Sequence, residues 1–499
     1  MRVLAIILAL FFHFIAPDAS AAEPSVIIVG AGISGILAAK TLHDAGVRDF
    51  LILEGTDRIG GRMCKGQFSG HTIELGANWL FSGGPKPNIL VDIGKEIKLK
   101  TFYSDYENIS SNTYKQEGGL YPKNLVEEIV NVGAAEAEFC ANFSRRLSSL
   151  PGQDVDMSIL AAQRLYSNKV PTTPLEMVID FYYNDYEDAE PPKDTSLKHT
   201  YPRGESEDFG EDTYFVADPR GFESVVHYFA NKFLLNENGV ITDPRLKLNK
   251  VVREIEYTKT GVTMKIEDGS VYKSKYAILS VSLGVLQSDL ISFKPTLPVW
   301  KKVAISDFNM AVYTKIFLKF PYTFWPIGPG TEFFLYAHEN RGYYPIWQHL
   351  ENEIPGSNIL FVTVTNVESK RIEQQSDNET LAEIMAVLKK MFGNDIPYPE
   401  DILVPRWWSH RLYRGTYANW PSRFNEKSHD QLGAPIGPIY FTGEYLSSEY
   451  IGYVSGAYLE GIRTANDVIN CIKKKSCRGF KTLQTAPKVQ MGRKAYGPK

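Results

Sequence analysis

The chain has 499 residues, of which 43% are hydrophobic and 22% charged, with a formal net charge of −4 at pH 7. This is the composition of an ordinary soluble globular protein long enough for two or more domains, and it excludes a basic surface on the scale that nucleic acid requires. Cys64, Cys140, Cys471 and Cys477 make neither a disulfide scaffold nor a zinc pattern, so no metal is expected.

Met1 to Ala22 reads as a secretory signal peptide. Arg2 supplies the positive start, Val3 to Ile15 the apolar region and Ala19-Ser20-Ala21 the small-residue cleavage site. The apolar run is too short to span a membrane, so the mature form is expected to begin near Ala22 or Glu23 without an anchor. A secreted route makes Asn108, Asn142 and Asn378 glycosylation acceptors in form, with one or two expected to be used. Cys471 and Cys477 either bridge locally or stay free.

The next stretch, Ser25 to Arg62, organises the rest. Ser25 to Val29 reads as a buried parallel strand. Gly30, Gly32 and Gly35 follow in G-x-G-x-x-G spacing, and Ile36 to Ala45 reads as a helix. Phe50 to Leu53 is a second strand, closed by Glu54. The first Gly allows the tight turn, the second lets backbone approach a pyrophosphate, and the third lets helix pack on strand. The helix N-terminus offers free N–H groups and a positive dipole, and Glu54 stands roughly 20 residues on, where a carboxylate holds a ribose hydroxyl. The strand before, the helix after and the strand-end acid give the motif its dinucleotide context. NAD and FAD share this fingerprint. Beside Gly60-Gly61, Arg62 suits a second phosphate through its planar fork.

Tyr103 to Tyr121 is expected to form short strands, and Leu125 to Leu150 has helical spacing. Pro171 to Glu190 reads as a helix ending in Asp185, Glu187, Asp188 and Glu190 beside Tyr182, Tyr183 and Tyr186. A second acidic group follows at Glu205, Glu207, Asp208, Glu211 and Asp212. Carboxylates among aromatics suit a cationic ligand, but a solvated acidic loop is the expectation for most of these residues, with Glu187 excepted. Arg245 to Asp268 reads as a β-hairpin. Met310 to Phe320 alternates strongly, with Tyr313, Lys315, Phe317 and Lys319 on one face. Asn378 to Met391 is an amphipathic helix. Aromatics crowd Arg406 to Trp420 and are either core or pocket wall. Pro438 to Glu444 is a strand, Gly452 to Tyr458 opens a last helix reaching about Lys474, and the rest is a basic tail.

Taken together, VGAGISG, LILEGTDRIGGR, ELGANW, DYEDAEPP, YFVADPRG, LNKVVREI, SLGVLQSD, MAVYTKIFLKF, RWWSHRLYRGTYANW and YFTGEYLSSEYIGYVSGAYLEGI resemble the flavin-dependent amine oxidases, and within them the plant polyamine oxidase family. The resemblance covers nearly the whole mature chain and implies FAD rather than NAD. It implies an α/β, two-domain FAD-dependent amine oxidase fold, with a Rossmann-like FAD domain and an α+β substrate domain. After a signal peptide at 1–22, the FAD domain is expected in three parts, 23–100, 218–298 and 400–474. The substrate domain is expected at 101–217 and 299–399, and a basic C-terminal tail at 475–499.

The resemblance also implies residue roles. Gly30, Gly32 and Gly35 would cradle the pyrophosphate, Glu54 hold the adenosine ribose, Arg62 reach the phosphates and Val252 read the adenine edge through its backbone. Glu444 would hold the ribitol or pyrophosphate, and Gly452, Tyr453 and Val454 would aim amides at the flavin C2 carbonyl. Trp408 and Tyr413 would lie near the cofactor. Lys315 would hold a water against flavin N5, with its pKa lowered by burial. Tyr313, Tyr417 and Tyr453 would line the substrate tunnel, Tyr313 and Tyr453 sharing the catalytic end with Lys315. Glu187 would meet the substrate's positive charge. The chain departs from the family at Phe81, where close relatives place a tunnel Glu, and at Ser455, where His is common.

The implied reaction takes a polyamine, spermidine or spermine, and O2. Hydride passes from the α-carbon to flavin N5, the imine hydrolyses to an aminoaldehyde plus 1,3-diaminopropane, and oxygen becomes hydrogen peroxide. The expected setting is extracellular, in the apoplast or cell wall, with the vacuole as the alternative, and the expected state a monomer. Two other readings stand beside this one: a flavin amine oxidase with another amine substrate, and a secreted flavin-binding protein with little catalysis, which Phe81 motivates and Lys315 opposes.

Overall fold

The structure is a computed structural model that describes residues 23–106, 108–149, 156–422 and 426–477. The expected signal peptide and the tail beyond residue 477 lie outside these residues.

A parallel five-stranded sheet forms around the first strand, Val26–Val29, in the order Leu246–Lys247, Phe50–Leu53, Val26–Val29, Tyr276–Leu279 and Ile439–Phe441. All four residues of the first strand are buried, as a β-branched run predicts for a strand covered on both faces. Val26 and Ile28 join one core with the helix Ile33–Asp44, and Ile27 and Val29 join another with Val252, Ile255 and Met264. That second core is covered by a four-stranded sheet in the order Val271–Ser274, Val262–Ile266, Val252–Tyr257 and Ser292–Lys294. The last helix, Val454–Lys474, crosses Ile33–Asp44 so closely that a Cβ on Gly461 would stand 2.3 Å from the Ser34 carbonyl oxygen.

The other large sheet has six strands, in the order Asp401–Leu403, Tyr313–Lys319, Ile359–Thr365, Ile346–His349, Phe333–Ala337 and Thr113–Lys115. Ile316, Leu318, Val362 and Val364 pack under Ile384 and Leu388 of the helix Asp377–Phe392. On the opposite face, Leu335, Ala337 and Ile346 meet Leu175, Val178 and Ile179 of the helix Pro174–Tyr183. Tyr313 and Lys315 belong to that second face, so the alternation read from the sequence holds. The strand is nevertheless buried on both faces, and Lys315 is only 4% exposed.

Several elements differ from the sequence expectation. The first helix starts at Ile33 rather than Ile36, with Gly32 as its N-cap. The helix expected over 171–190 breaks at Asn184, whose side-chain amide donates to the Asp180 carbonyl at 2.9 Å and competes with the helical ladder. The hairpin expected from Arg245 begins only at Val252. Leu246–Lys247 instead extends the parallel sheet, and Asn249 turns between them at a φ of 56°. Met310 is split from the strand it was expected to open and pairs with Ala418. Cys471 and Cys477 form a disulfide, while Cys64 and Cys140 are free. Among the described residues, no helix is long and apolar enough to cross a membrane, and no group of His, Cys, Asp and Glu is placed to hold a metal.

Candidate active site

A cavity of about 610 Å³ runs from the C-terminal edge of the parallel sheet to the face of the six-stranded sheet that carries Tyr313 and Lys315. At the nucleotide end it is walled by glycine backbone. Gly30 has a φ of +104°, and a Cβ there would lie 2.9 Å from the Ser280 carbonyl oxygen. Gly35 does not face the cavity. It lets the helix seat on the turn, since its Cβ would fall 2.0 Å from the Gly30 carbonyl oxygen. The helix Ile33–Asp44 has no side-chain cap at Gly32 and no acid in its first turn, so its free N–H groups and positive end are open to an anion. Glu54 is fixed at the strand end, accepting from the Ala31 N–H at 2.7 Å and from the Thr56 N–H and hydroxyl at 2.8 Å each.

Arg62 and Glu444 form a bidentate pair at 2.8 and 2.7 Å, with Arg62 also donating to the Thr416 carbonyl at 2.8 Å. Burial alone would push the Glu444 carboxyl up, but the facing guanidinium and its two bonds win and hold it below its usual value. The pair lies on the cavity wall, as do Val252 and Tyr413. Trp408 does not. The tryptophan that lines the cavity is Trp407, edge-on to Tyr413 at 5.1 Å, with its indole N–H donating to the Leu75 carbonyl at 3.2 Å. Neighbours in a tight turn point apart, and Trp408 is only half-buried outside the cavity, its backbone N–H donating to Glu373 at 3.0 Å.

At the far end, Lys315 donates to the Gly76 carbonyl at 2.8 Å and to Asn78 Oδ1 at 2.7 Å. Gly76 is required here, because its Cβ would lie 1.8 Å from the Arg62 carbonyl oxygen. Burial lowers the Lys315 ammonium to about 7, opposed by the nearby Glu74 carboxyl. Glu74 is itself pushed up by burial and accepts from the Phe222 N–H at 2.7 Å. Of the expected site residues, Tyr313 and Tyr417 meet with ring centroids 6.2 Å apart. The Tyr453 hydroxyl donates to Glu187 Oε1 at 2.7 Å, and the Tyr417 hydroxyl to the Glu187 carbonyl at 2.9 Å. Phe81 stands edge-on to Tyr453 at 5.7 Å. Gly452 turns at a φ of +83°, and the helix Val454–Lys474 then opens on the cavity, with no side-chain cap at Tyr453 and no acid in its first turn. Two uncapped helix ends thus meet one cavity. This donor set fits a dinucleotide with phosphates at one end and a ring that gains negative charge at the other.

The first acidic group is not the solvated loop expected, whereas Glu207, Glu211 and Asp212 of the second group are exposed as expected. Asp185 pairs with Arg341, Asp188 with Arg203 at 2.9 Å, and Glu190 accepts from the Asn366 amide at 2.6 Å, all three carboxylates buried. Their partners lie up to 176 positions away in the chain, which no local pattern reveals. Besides Trp407, the cavity residues Asn78 and Glu205 were given no role by the sequence. Asn78 lies inside the ELGANW motif, which gives it a signal. Glu205 lies in the second acidic group, where nothing local separates it from its exposed neighbour Glu207.

The family model of the flavin containing amine oxidoreductases matches residues 33–469. The chain is 53% identical over 485 residues to "Polyamine oxidase 1" of Zea mays, covering 96% of this chain and 97% of the relative. It is 52% identical over 481 residues to "Polyamine oxidase 6" of Oryza sativa subsp. japonica, covering 95% and 96%. Among solved structures, wild-type putrescine oxidase bound to putrescine superposes with a TM-score of 0.70 at 20% identity, covering 90% of this chain and 99% of that one. The chain therefore belongs to the flavin containing amine oxidoreductase family: it has the two-domain FAD amine oxidase fold and is an FAD-dependent oxidoreductase acting on amines. Within the family it falls with the plant polyamine oxidases.

Proposed function

We propose that the protein oxidises spermidine and spermine, releasing an aminoaldehyde, 1,3-diaminopropane and hydrogen peroxide. The observation that carries this reading is the placement of Lys315. A buried lysine stands between the nucleotide half of the cavity and an aromatic half that carries Glu187. Gly30, Gly32, Glu54, the Arg62–Glu444 pair, Val252, Trp407 and Tyr413 would hold FAD along the cavity, with the Val454 helix end at its ring. When bound, FAD supplies the hydride acceptor and passes the electrons to oxygen.

The chain's own residues do the rest. Glu187, fixed by Tyr453, faces the substrate's positive charge, and the rings of Tyr313, Tyr417 and Tyr453 hold the extended amine by cation–π and apolar contact. The reacting nitrogen must be neutral to release hydride from its α-carbon. Lys315, at about 7, is poised to take and return a proton through a water at its remaining N–H.

The proposed setting is extracellular, in the apoplast or wall, with the vacuole as the alternative. The N-terminal sequence, the Cys471–Cys477 disulfide and the exposure of Asn108, Asn142 and Asn378 support it. The test is peroxide release from purified, FAD-loaded protein with spermine, spermidine, their acetylated forms and putrescine, with products identified by mass. Turnover of spermine or spermidine with 1,3-diaminopropane released is the expected result. Turnover confined to other amines would move the substrate assignment, and a flavin that no amine bleaches would overturn it.

A further inference from the structure

Most acids of the stretch from Asp185 to Asp208 have a matched base. Asp185 has Arg341, Asp188 has Arg203, Glu207 has Arg145 and Asp208 has Lys86. Glu190 has only the Asn366 amide and lies off the cavity, and Glu187 and Glu205 have no base either. Glu187 and Glu205 both face the cavity, and both have hydroxyl partners from the same helix end: Tyr453 donates to Glu187, and Ser455 donates to Glu205. Glu205 is 2% exposed, and no lysine or arginine among the described residues is placed to neutralise it. Phe81, edge-on to Tyr453 and also lining the cavity, carries no charge. A buried carboxyl that opens on a ligand cavity without its own cation is costly to ionise, unless the ligand brings the cation.

We propose that Glu205 is a specificity-determining residue of this cavity: a second carboxylate that, with Glu187, receives a positively charged nitrogen of the substrate. This rests on the amine-oxidising reading of the site. Burial, with the Glu187 and Asp208 charges adding to it, lifts Glu205 to about 8, so the free protein holds it as a neutral acid donating or accepting at Ser455. An arriving ammonium draws the proton off and takes its place. The titratable and charged groups around Glu205 are Glu187, Asp208, Tyr450 and Tyr453, with the Asp188–Arg203 pair next to Glu187.

The experiment is steady-state kinetics of the FAD-loaded full chain with spermine and spermidine from pH 6 to 9, comparing the wild type with Glu205→Gln and Glu205→Asp. Gln keeps the shape and the Ser455 contact but cannot take a charge. Its KM for spermine should rise about tenfold with a much smaller change in kcat. The ratio of its KM to that of the wild type should grow as pH rises through about 8, a comparison in which the substrate's own titration cancels. Asp should restore part of the loss. Should Glu205→Gln fail to retain FAD, the Asp variant carries the test, its KM lying above the wild type by a factor that grows over the same pH range. A Gln variant that binds FAD and matches the wild-type KM across the pH range would overturn the proposal. A wild type whose flavin no amine bleaches would overturn the amine reading and this proposal with it.

Discussion

Among the described residues two lysines are buried, and their surroundings differ. Lys301 is 0% exposed. Its ammonium meets the carbonyls of Gln431, Leu432 and Ala434 and lies 3.7 Å from the centre of the Phe441 ring. Those carbonyls end the helix Glu426–Gly433, so the charge also sits at the negative end of its dipole. Lys315 is as deep, at 4% exposed, but it has only Gly76 and Asn78 as acceptors and turns its remaining side to the cavity. Burial lowers both ammonium groups, Lys301 well below its ordinary value and Lys315 to about 7. A buried lysine is therefore not catalytic by virtue of burial or a shifted pKa. The difference is whether every donor direction is already spent on the protein.

The largest expected effect comes from Lys315→Met. Loss of a general acid–base group costs roughly 10²–10⁴-fold in rate, so flavin reduction by spermine, followed anaerobically by stopped flow, should slow by that order while FAD stays bound. Lys301→Met should do the reverse. Three buried carbonyls lose their donor, at about 3 kcal/mol or more in all, so urea unfolding should move to lower concentration while the folded fraction keeps the wild-type reduction rate. A Lys301 variant slow in chemistry but unchanged in stability would break the comparison.

A third expectation concerns pH and stability. The folded-state value of Lys315 lies below that of an unfolded lysine, roughly 10.4. The unfolded chain therefore binds more protons between the two, and the group's penalty on the fold is full below about 7 and fades as pH rises towards the unfolded value. The stability of Lys315→Met relative to the wild type, read by urea unfolding, should therefore fall as pH rises from 6 to 10. Asn78→Ala, which removes one of two acceptors, should slow flavin reduction by about tenfold, as loss of one hydrogen bond to a charged group does. Phe441→Leu should have the smallest effect, about 1–2 kcal/mol of stability, from the lost ring face and the small cavity left behind.

The same contrast marks what was legible in the sequence. The parallel sheet, the glycine turn and the alternation around Lys315 are local patterns, and they placed the glycine-walled half of the cavity and the strand that carries Lys315. The adjacent pairs were not legible. Lys301 is buried and Lys302 exposed, and Trp407 lines the cavity while Trp408 does not. In each case the side that faces inward is fixed by partners far along the chain, such as the Leu75 carbonyl for Trp407 and the Gln431 carbonyl for Lys301. The acids fail for the same reason. Glu205 bonds Ser455, 250 positions on, while its exposed neighbour Glu207 pairs with Arg145.

The central claim is that Lys315 handles the proton while Lys301 holds the fold. It is tested most directly by the rate of anaerobic flavin reduction by spermine, measured from pH 6 to 9 in the wild type, Lys315→Met and Lys301→Met. The account predicts a rise through about pH 7 that persists in Lys301→Met and disappears, along with most of the rate, in Lys315→Met. A Lys315→Met protein that reduces its flavin at the wild-type rate with the same pH dependence would contradict it.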